Sequence, residues 1–466
     1  MSPNSNITPM DESNNYAKTS HSKIKIGYRP LPEKKFEARN SLLTDLFESN
    51  PHIKTILHVF IATLLSLFVN KVAHDYLEKG EIDLGFGLIH DGFGKLHVAI
   101  CAWLLFFTTT CLCYLSFFIW ARARMSLFPK SVNIKIWDTI CLLPLPGYYV
   151  LSFRLAASIV AIFRLPQATA AIILVEQIRM AMKVHAFIRS NVPKVLNYKT
   201  HSEQHLTLPS FKHFLYFLFA PTLIYRDEYP RTSSVRKSFV MYRLLEILGV
   251  VLFYSFLLNR FLFPVYQDFG LRKFTWNEII ISIFESAIVG ILILTSTFFL
   301  ILHSVQNVFA ELLRFGDRMF YKDWWTCTSF SEYFRTWNIV VHDWLYTYVY
   351  KDMYEIITAK NKTISRFAVF VISAVVHEWV LTHMFGFFFP ALFIYFFFGG
   401  ALLSFIKVSR GTVLNVLFWY MLAVGSGSLL SLYTLEHFAR QNAPIQGNSF
   451  RDYCLPRWLT CDCIGK

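Results

Sequence analysis

The sequence predicts an all-α polytopic membrane protein with about nine transmembrane helices. Apolar residues make up 54% of the 466 positions and charged residues only 16%, well under the ~25% charged share of soluble domains. Runs of roughly 20 apolar residues recur along the chain, the length an α-helix needs to cross a bilayer. Aromatic residues reach 17%, with 47 Phe. This balance excludes a disordered or collagen-like chain. It also leaves too little polar surface for a soluble enzyme of several domains.

Residues 1–50 are rich in Ser, Asn and Lys and show no helical period. They read as a mobile cytoplasmic tail with a short helix over 42–47. Residues 51–466 hold the long apolar runs and form the second unit, which ends in a short lumenal tail. The runs span 53–72, 98–120, 136–163, 165–188, 239–258, 279–302, 367–385, 387–406 and 413–432. The third is interrupted by Pro144-Leu145-Pro146-Gly147. The fourth is the weakest, because it carries Glu176, Arg179 and Lys183.

The net charge of +14 fits basic loops facing an anionic cytoplasmic leaflet better than a nucleic-acid partner. With the N-terminus cytoplasmic, the cytoplasmic segments hold 29 Lys and Arg and the opposite segments 10. Nine spans then leave the C-terminus lumenal. Cys454, Cys461 and Cys463 cluster on that oxidising side, where a disulfide from Cys454 to Cys461 or Cys463 is expected. In extended backbone, Cys461 and Cys463 would hold their own side chains ~6–7 Å apart, too far to bridge. The eight Cys include no CxxC…CxxC pattern, so no metal site is expected.

Three polar intrusions into apolar sequence point to chemistry. Phe320-Tyr321-Lys322-Asp323-Trp324-Trp325-Thr326 sets aromatics around single charges, as membrane interfaces do. Residues 329–355 read as one long helix. On it Asn338 and His342 lie one turn apart in an apolar stripe of Phe334, Val341, Leu345 and Val349. A buried amide and imidazole need partners or a use. In 367–385, Ser373 and His377 lie at i and i+4, with Glu378 following. An ionisable group deep in a span is costly and marks a functional candidate. Imidazole can serve as a base near neutral pH. His383, nearer the span end, reads as structural, and Glu246 and Glu285 as interhelical contacts.

These segments include Arg335-Thr336-Trp337-Asn338, His342-Asp343-Trp344 and Ser373-Ala374-Val375-Val376-His377-Glu378. In this order and spacing they resemble the membrane-bound O-acyltransferase superfamily, most closely its sterol O-acyltransferase (acyl-CoA:cholesterol acyltransferase) branch. Phe219-Ala220-Pro221-Thr222-Leu223-Ile224-Tyr225-Arg226-Asp227 and Glu176-Gln177-Ile178-Arg179 extend the resemblance to roughly residues 45–460. It implies helices around an intramembrane reaction chamber, a location in the endoplasmic reticulum membrane, and a homodimer or homotetramer. Long-chain acyl-CoA, a co-substrate with no bound cofactor beside it, would enter from the cytosol and a membrane sterol from the bilayer. The resemblance makes Asn338 and His377 the catalytic pair, supported by His342, Phe320, Tyr321, Asp323, Trp324 and Trp325. Acyl-CoA contacts would fall near Arg335, Tyr350, Lys362 and Ser373. The sequence departs from the family pattern at Thr326 (Asn in relatives), Trp379 (Tyr) and Ala443 (Cys).

The residue types suit ester formation from an alcohol and a thioester. His377 would take the hydroxyl proton as the oxygen attacks. Asn338 would stabilise the charge growing on the thioester oxygen. Diacylglycerol O-acyltransferase is the rival within the same chemistry. A lipid transporter or non-catalytic sensor is the rival outside it, although transporters more often show internal repeats.

Overall fold

Every regular element among the described residues is helical, because a chain in hydrocarbon must satisfy its own backbone and a helix does so within one segment. The computed structural model describes residues 33–80, 86–127, 131–198, 206–358, 360–400, 403, 411–444 and 454–465. Most of the expected tail, residues 1–32, and most of the end of the 387–406 run lie outside these. Among the described residues, seven helices are long and apolar enough to cross a membrane. They are Pro51–Glu78, Phe86–Ser126, Val132–Ile162, Lys237–Tyr266, Trp276–Leu312, Lys362–Phe385 and Thr412–Asn442. A shorter apolar helix, Ala391–Gly400, lies in the eighth expected run. Nine is thus an approximate count.

The fourth expected span shows why composition blurs the number. It is a helix, Gln167–Leu196, but its charged residues face protein. Arg179 Nη1 donates to the Leu218 carbonyl (2.5 Å), and the buried Lys183 Nζ donates to those of Phe217 (2.5 Å) and Ala220 (2.7 Å). These carbonyls end the helix Phe211–Phe219, which has no intrahelical donors left for them. Glu176 pairs with Arg179 at 2.6 Å. The third expected run bends where its sequence predicts. One helix ends at Leu142 and the next begins with Pro144, whose missing N–H breaks the ladder. Of the two expected interhelical acids, Glu246 accepts from Ser304 Oγ at 2.7 Å, whereas Glu285 is exposed.

Residues 34–50 are not a free tail. Lys34–Lys466 form one compact unit, and the segment before the helix Leu42–Ser49 is strapped to it. The Phe36 ring packs edge-on against Tyr229 (5.3 Å) and Phe315 (6.2 Å). The Arg39 N–H donates to the Gly316 carbonyl (2.9 Å), and the Arg318 N–H to the Arg39 carbonyl (3.1 Å). Arg39 Nε also reaches Asp317 Oδ1 at 2.9 Å. Ser41 is fully buried and accepts from Asn307 Nδ2 at 3.0 Å.

The expected disulfide is also corrected. Cys461 pairs with Cys463, with Cα atoms 5.1 Å apart, and Cys454 is free. The extended geometry assumed between the two does not hold. Asp462 has φ 53°, the left-handed conformation that Asp tolerates better than most residues. It shortens the step between them to a Cα separation a disulfide can span. The Phe274 N–H then donates to the Cys463 carbonyl (2.9 Å), and Gly465 N–H to the Phe274 carbonyl (2.8 Å).

Helices Trp276–Thr297 and Thr412–Asn442 pack backbone to backbone. A Cβ at Gly290 would lie 2.5 Å from the Gly427 nitrogen, and one at Gly427 would meet the Ala287 backbone. Small residues permit such contact in membranes, where packing rather than the hydrophobic effect joins helices. Gly427→Leu is therefore expected to destabilise the protein by about 2–3 kcal/mol through overpacking. The check is a thermal melt of purified protein in detergent, with Gly425→Leu as control, since nothing lies within 4 Å of a Cβ there.

Candidate active site

The site is assembled around an interrupted helix. Phe330–Thr336 stops at Trp337–Asn338, and a new helix, Ile339–Trp344, continues as π-helix over Leu345–Tyr350 and Met353–Ile357. The single long helix expected over 329–355 is thus broken, and Asn338 is the reason. Its Oδ1 accepts from the Val341 N–H (3.1 Å) and caps the second helix, a role asparagine fills well. That bond also fixes the amide's sense. The acceptor is committed, so the two Nδ2 protons are the donors that remain. His342 still lies one turn on, its N–H bonded to the Asn338 carbonyl at 3.0 Å. Its ring begins a stacked ladder with Tyr346 (6.5 Å), Tyr350 (5.6 Å further) and Tyr354 (5.9 Å further).

The aromatic loop holds this break open. The Ile339 N–H donates to the Phe320 carbonyl (2.9 Å), and the Lys322 N–H to the Thr336 carbonyl (2.8 Å). The loop is anchored in turn by Phe320, Tyr321 and Trp324, each at most 2% exposed. Tyr321 Oη meets His303 Nδ1 at 2.6 Å. Trp324 packs against Phe298 (5.0 Å) and Trp337 (4.6 Å). The Trp325 carbonyl accepts from Asn415 Nδ2 and Trp419 Nε1, both 3.1 Å. Asp323 caps the turn that follows, and the Thr326 hydroxyl donates to its carbonyl at 2.8 Å. A hydroxyl therefore closes the loop at Thr326.

His377 lies on the spanning helix Lys362–Phe385 with Nδ1 2.7 Å from the Ser373 carbonyl. A carbonyl only accepts, so Nδ1 carries the proton and Nε2 of the neutral ring holds a free lone pair. The ring stacks on Phe396 at 5.4 Å and is otherwise exposed. Phe396 packs on its other contacts against Phe334 (5.2 Å) and Phe370 (6.1 Å). The segments bearing Asn338 and His377 therefore converge on one aromatic cluster, although no hydrogen bond joins the two among the described residues. Sequence reasoning noted Glu378 without giving it a part. It is 5% exposed and accepts from the Phe393 N–H (2.9 Å) and Tyr433 Oη (3.1 Å). That ties the spanning helix to the segment carrying Phe396.

A cavity of about 580 Å³ is lined by Thr336 and Ile339, which flank the break in sequence, while neither Asn338 nor His377 lines it. Lys322, Glu332, Arg335, His342 and Asp343 line it, together with Lys34 and Arg39 of the strap. Arg335 and His342 were expected near the site. Lys322 belongs to the aromatic motif but had no stated role, and Lys34 and Arg39 were not expected, because only the fold brings residue 34 to residue 343. Tyr350 sits on the ladder leading away from the cavity. Lys362 is exposed in the first turn of the His377 helix, below the Asn361 cap.

The arrangement is that of a membrane-embedded transferase, and the chain belongs to the membrane-bound O-acyltransferase (MBOAT) family, whose model matches residues 86–435. It is 39% identical over 456 residues to sterol O-acyltransferase 1 of Cricetulus griseus, covering 96% of this chain and 82% of that protein. It is 39% identical to the Mus musculus enzyme of the same name (95% and 82% covered). To sterol O-acyltransferase 2 of Homo sapiens it is 38% identical (92% and 80% covered). The chain is an acyltransferase enzyme and a multi-pass membrane protein.

Asp343 makes the strap's attachment dependent on pH. Burial pushes its carboxyl up, but His342 and the Lys34 ammonium, 2.8 Å away, outweigh this and hold it below the ordinary carboxylate value. A depressed folded value stabilises above the unfolded one, near ~3.9, and is lost as pH falls through it. Amide exchange at Arg39, whose N–H is bonded to Gly316, should therefore stay protected from about pH 7 to 5 and lose protection only below about pH 4. Asp343→Asn should remove that acid step. A loss already complete by about pH 5 would assign it to a histidine instead.

Proposed function

We propose that this protein esterifies a membrane sterol with a long-chain acyl group taken from acyl-CoA. The observation that carries this reading is His377, an imidazole in a spanning helix whose Nδ1 is held by the Ser373 carbonyl at 2.7 Å. Nε2 takes the proton from the sterol hydroxyl as its oxygen attacks the thioester carbonyl. The Nδ2 protons of Asn338 donate to the oxygen on which charge builds. The carbon–sulfur bond breaks, CoA thiolate leaves, and the proton on His377 Nε2 returns to that sulfur. Attack is direct, with no covalent acyl-enzyme and no cofactor beyond the co-substrate. The apolar surroundings shield the thioester from water. His342 and the aromatic loop position Asn338; Arg335, Tyr350, Lys362 and Ser373 contact acyl-CoA. The protein acts in the endoplasmic reticulum membrane as a homodimer or homotetramer, N-terminus cytoplasmic and C-terminus lumenal.

Purified protein given oleoyl-CoA with a sterol and diacylglycerol together should form sterol ester. Triacylglycerol as the main product would move the reading to the diacylglycerol branch. His377→Ala should lower turnover by ~10²–10⁴-fold with little change in acyl-CoA affinity. Near-normal turnover would remove His377 from the chemistry.

Asn338→Asp keeps the helix-cap acceptor and loses the donors. It should melt like the wild-type protein, yet turn over ~10²-fold more slowly. A large drop in melting temperature would make Asn338 a structural cap only. The orientation has its own check. Asn361 begins an Asn-Lys-Thr sequon on the cytoplasmic side, so expression in microsomes should leave it without glycan. An endoglycosidase-sensitive mass at Asn361 would invert the topology.

A further inference from the structure

The strap gives Lys34 and Arg39 to the lining of the cavity that also holds Arg335 and His342. Its charge decides what the cavity can hold. The lining drawn from the rest of the chain is balanced, Lys322 and Arg335 against Glu332 and Asp343. Lys34 and Arg39 add two cations, one of them answered by Asp317 behind Arg39, so the strap leaves the site positive by one charge. Both are held in place on the strap. Lys34 Nζ lies 2.8 Å from Asp343 Oδ2. Arg39 turns its Nε edge to Asp317 at 2.9 Å. Neither pairing exhausts its cation. An ammonium has three donors and a guanidinium five; Arg39 also gives Nη2 to Asp317 Oδ2 at 3.4 Å, and its Nη1 makes only a long pair with the exposed Glu37, at 3.8 Å. A cavity of about 580 Å³ has the volume of a small-ligand site.

We propose that Lys34 and Arg39 bind the phosphates of the nucleotide half of acyl-CoA, so that the N-terminal strap is part of the donor site. The inference rests on the reading of the protein as an acyl-CoA-dependent transferase. Several negative charges at one end of a long apolar donor need a cationic mouth. The strap supplies the excess that the rest of the lining lacks. Thr336 and Ile339, which precede and follow Asn338 in sequence, line the same cavity.

The test compares two donors with the same acyl chain. Oleoyl-CoA carries the nucleotide; oleoyl-pantetheine does not. In Lys34→Ala the KM for oleoyl-CoA should rise ~10-fold with kcat held. The rise should shrink at high salt. The KM for oleoyl-pantetheine should not move. Inhibition by adenosine 3′,5′-bisphosphate should weaken by the same factor. Arg39→Ala should follow Lys34→Ala, and Arg39→Lys, which keeps the charge but loses the fork held by Asp317, should fall between Arg39→Ala and wild type. An equal KM rise with both donors would make the strap a structural clamp. A fall in KM would make it an obstruction, and no change would remove it from the site. Each of these overturns the proposal. If the wild-type protein transfers oleoyl from neither donor to sterol, the transferase reading itself fails. Binding of adenosine 3′,5′-bisphosphate to wild type against Lys34→Ala still decides the strap.

Discussion

Where the helix stops at Thr336 and restarts at Ile339, backbone groups lose their ladder partners inside a largely apolar molecule. Each such group left bare would cost several kcal/mol. The aromatic loop meets that need with the Phe320 carbonyl and the Lys322 N–H, and Asn338 meets it with its own side chain. The rest of the site follows from this exchange. Phe320, Tyr321 and Trp324 are buried because the loop must not shift. The loop must not shift because it holds the break, and the break sets where Asn338 stands. A mutation at Trp324 would thus reach the chemistry without touching a substrate.

The same rule governs the charges inside the bundle. Lys183 and Arg179 are tolerated because the carbonyls ending the helix Phe211–Phe219 take their protons. Glu378 is tolerated because the Phe393 N–H and Tyr433 hydroxyl donate to it. Polar groups here act as fasteners between segments that apolar packing alone would leave free to slide. His377 departs from the pattern. One ring nitrogen is fastened, and the other is left with an unshared pair.

Much of this was legible in sequence and some was not, for physical reasons. Apolar length marks a span whatever surrounds it, so most spans were readable. His377 stood out because an ionisable group there has no cheap explanation. Periodicity placed Asn338 on the correct stretch yet missed the break. A capping asparagine and a mid-helix asparagine occupy the same letter, and only tertiary hydrogen bonds choose between them. The strap was missed because its partners, Tyr229, Gly316, Asp317 and Asp343, lie hundreds of residues away. The Cys461–Cys463 bridge was missed because it depends on one backbone angle at Asp462.

The contact between Gly290 and Gly427 has a mechanical consequence. Two helices whose backbones touch cannot ratchet past each other, since any displaced register would drive a Cβ into main chain. They form a fixed keel. Movement beside His377 then has to come from elsewhere. Phe396, which stacks on His377 and meets Phe334 and Phe370, can swing its ring without breaking a backbone contact. Access to that imidazole is then a matter of rotamers, while the paired glycines hold two of the long helices in register.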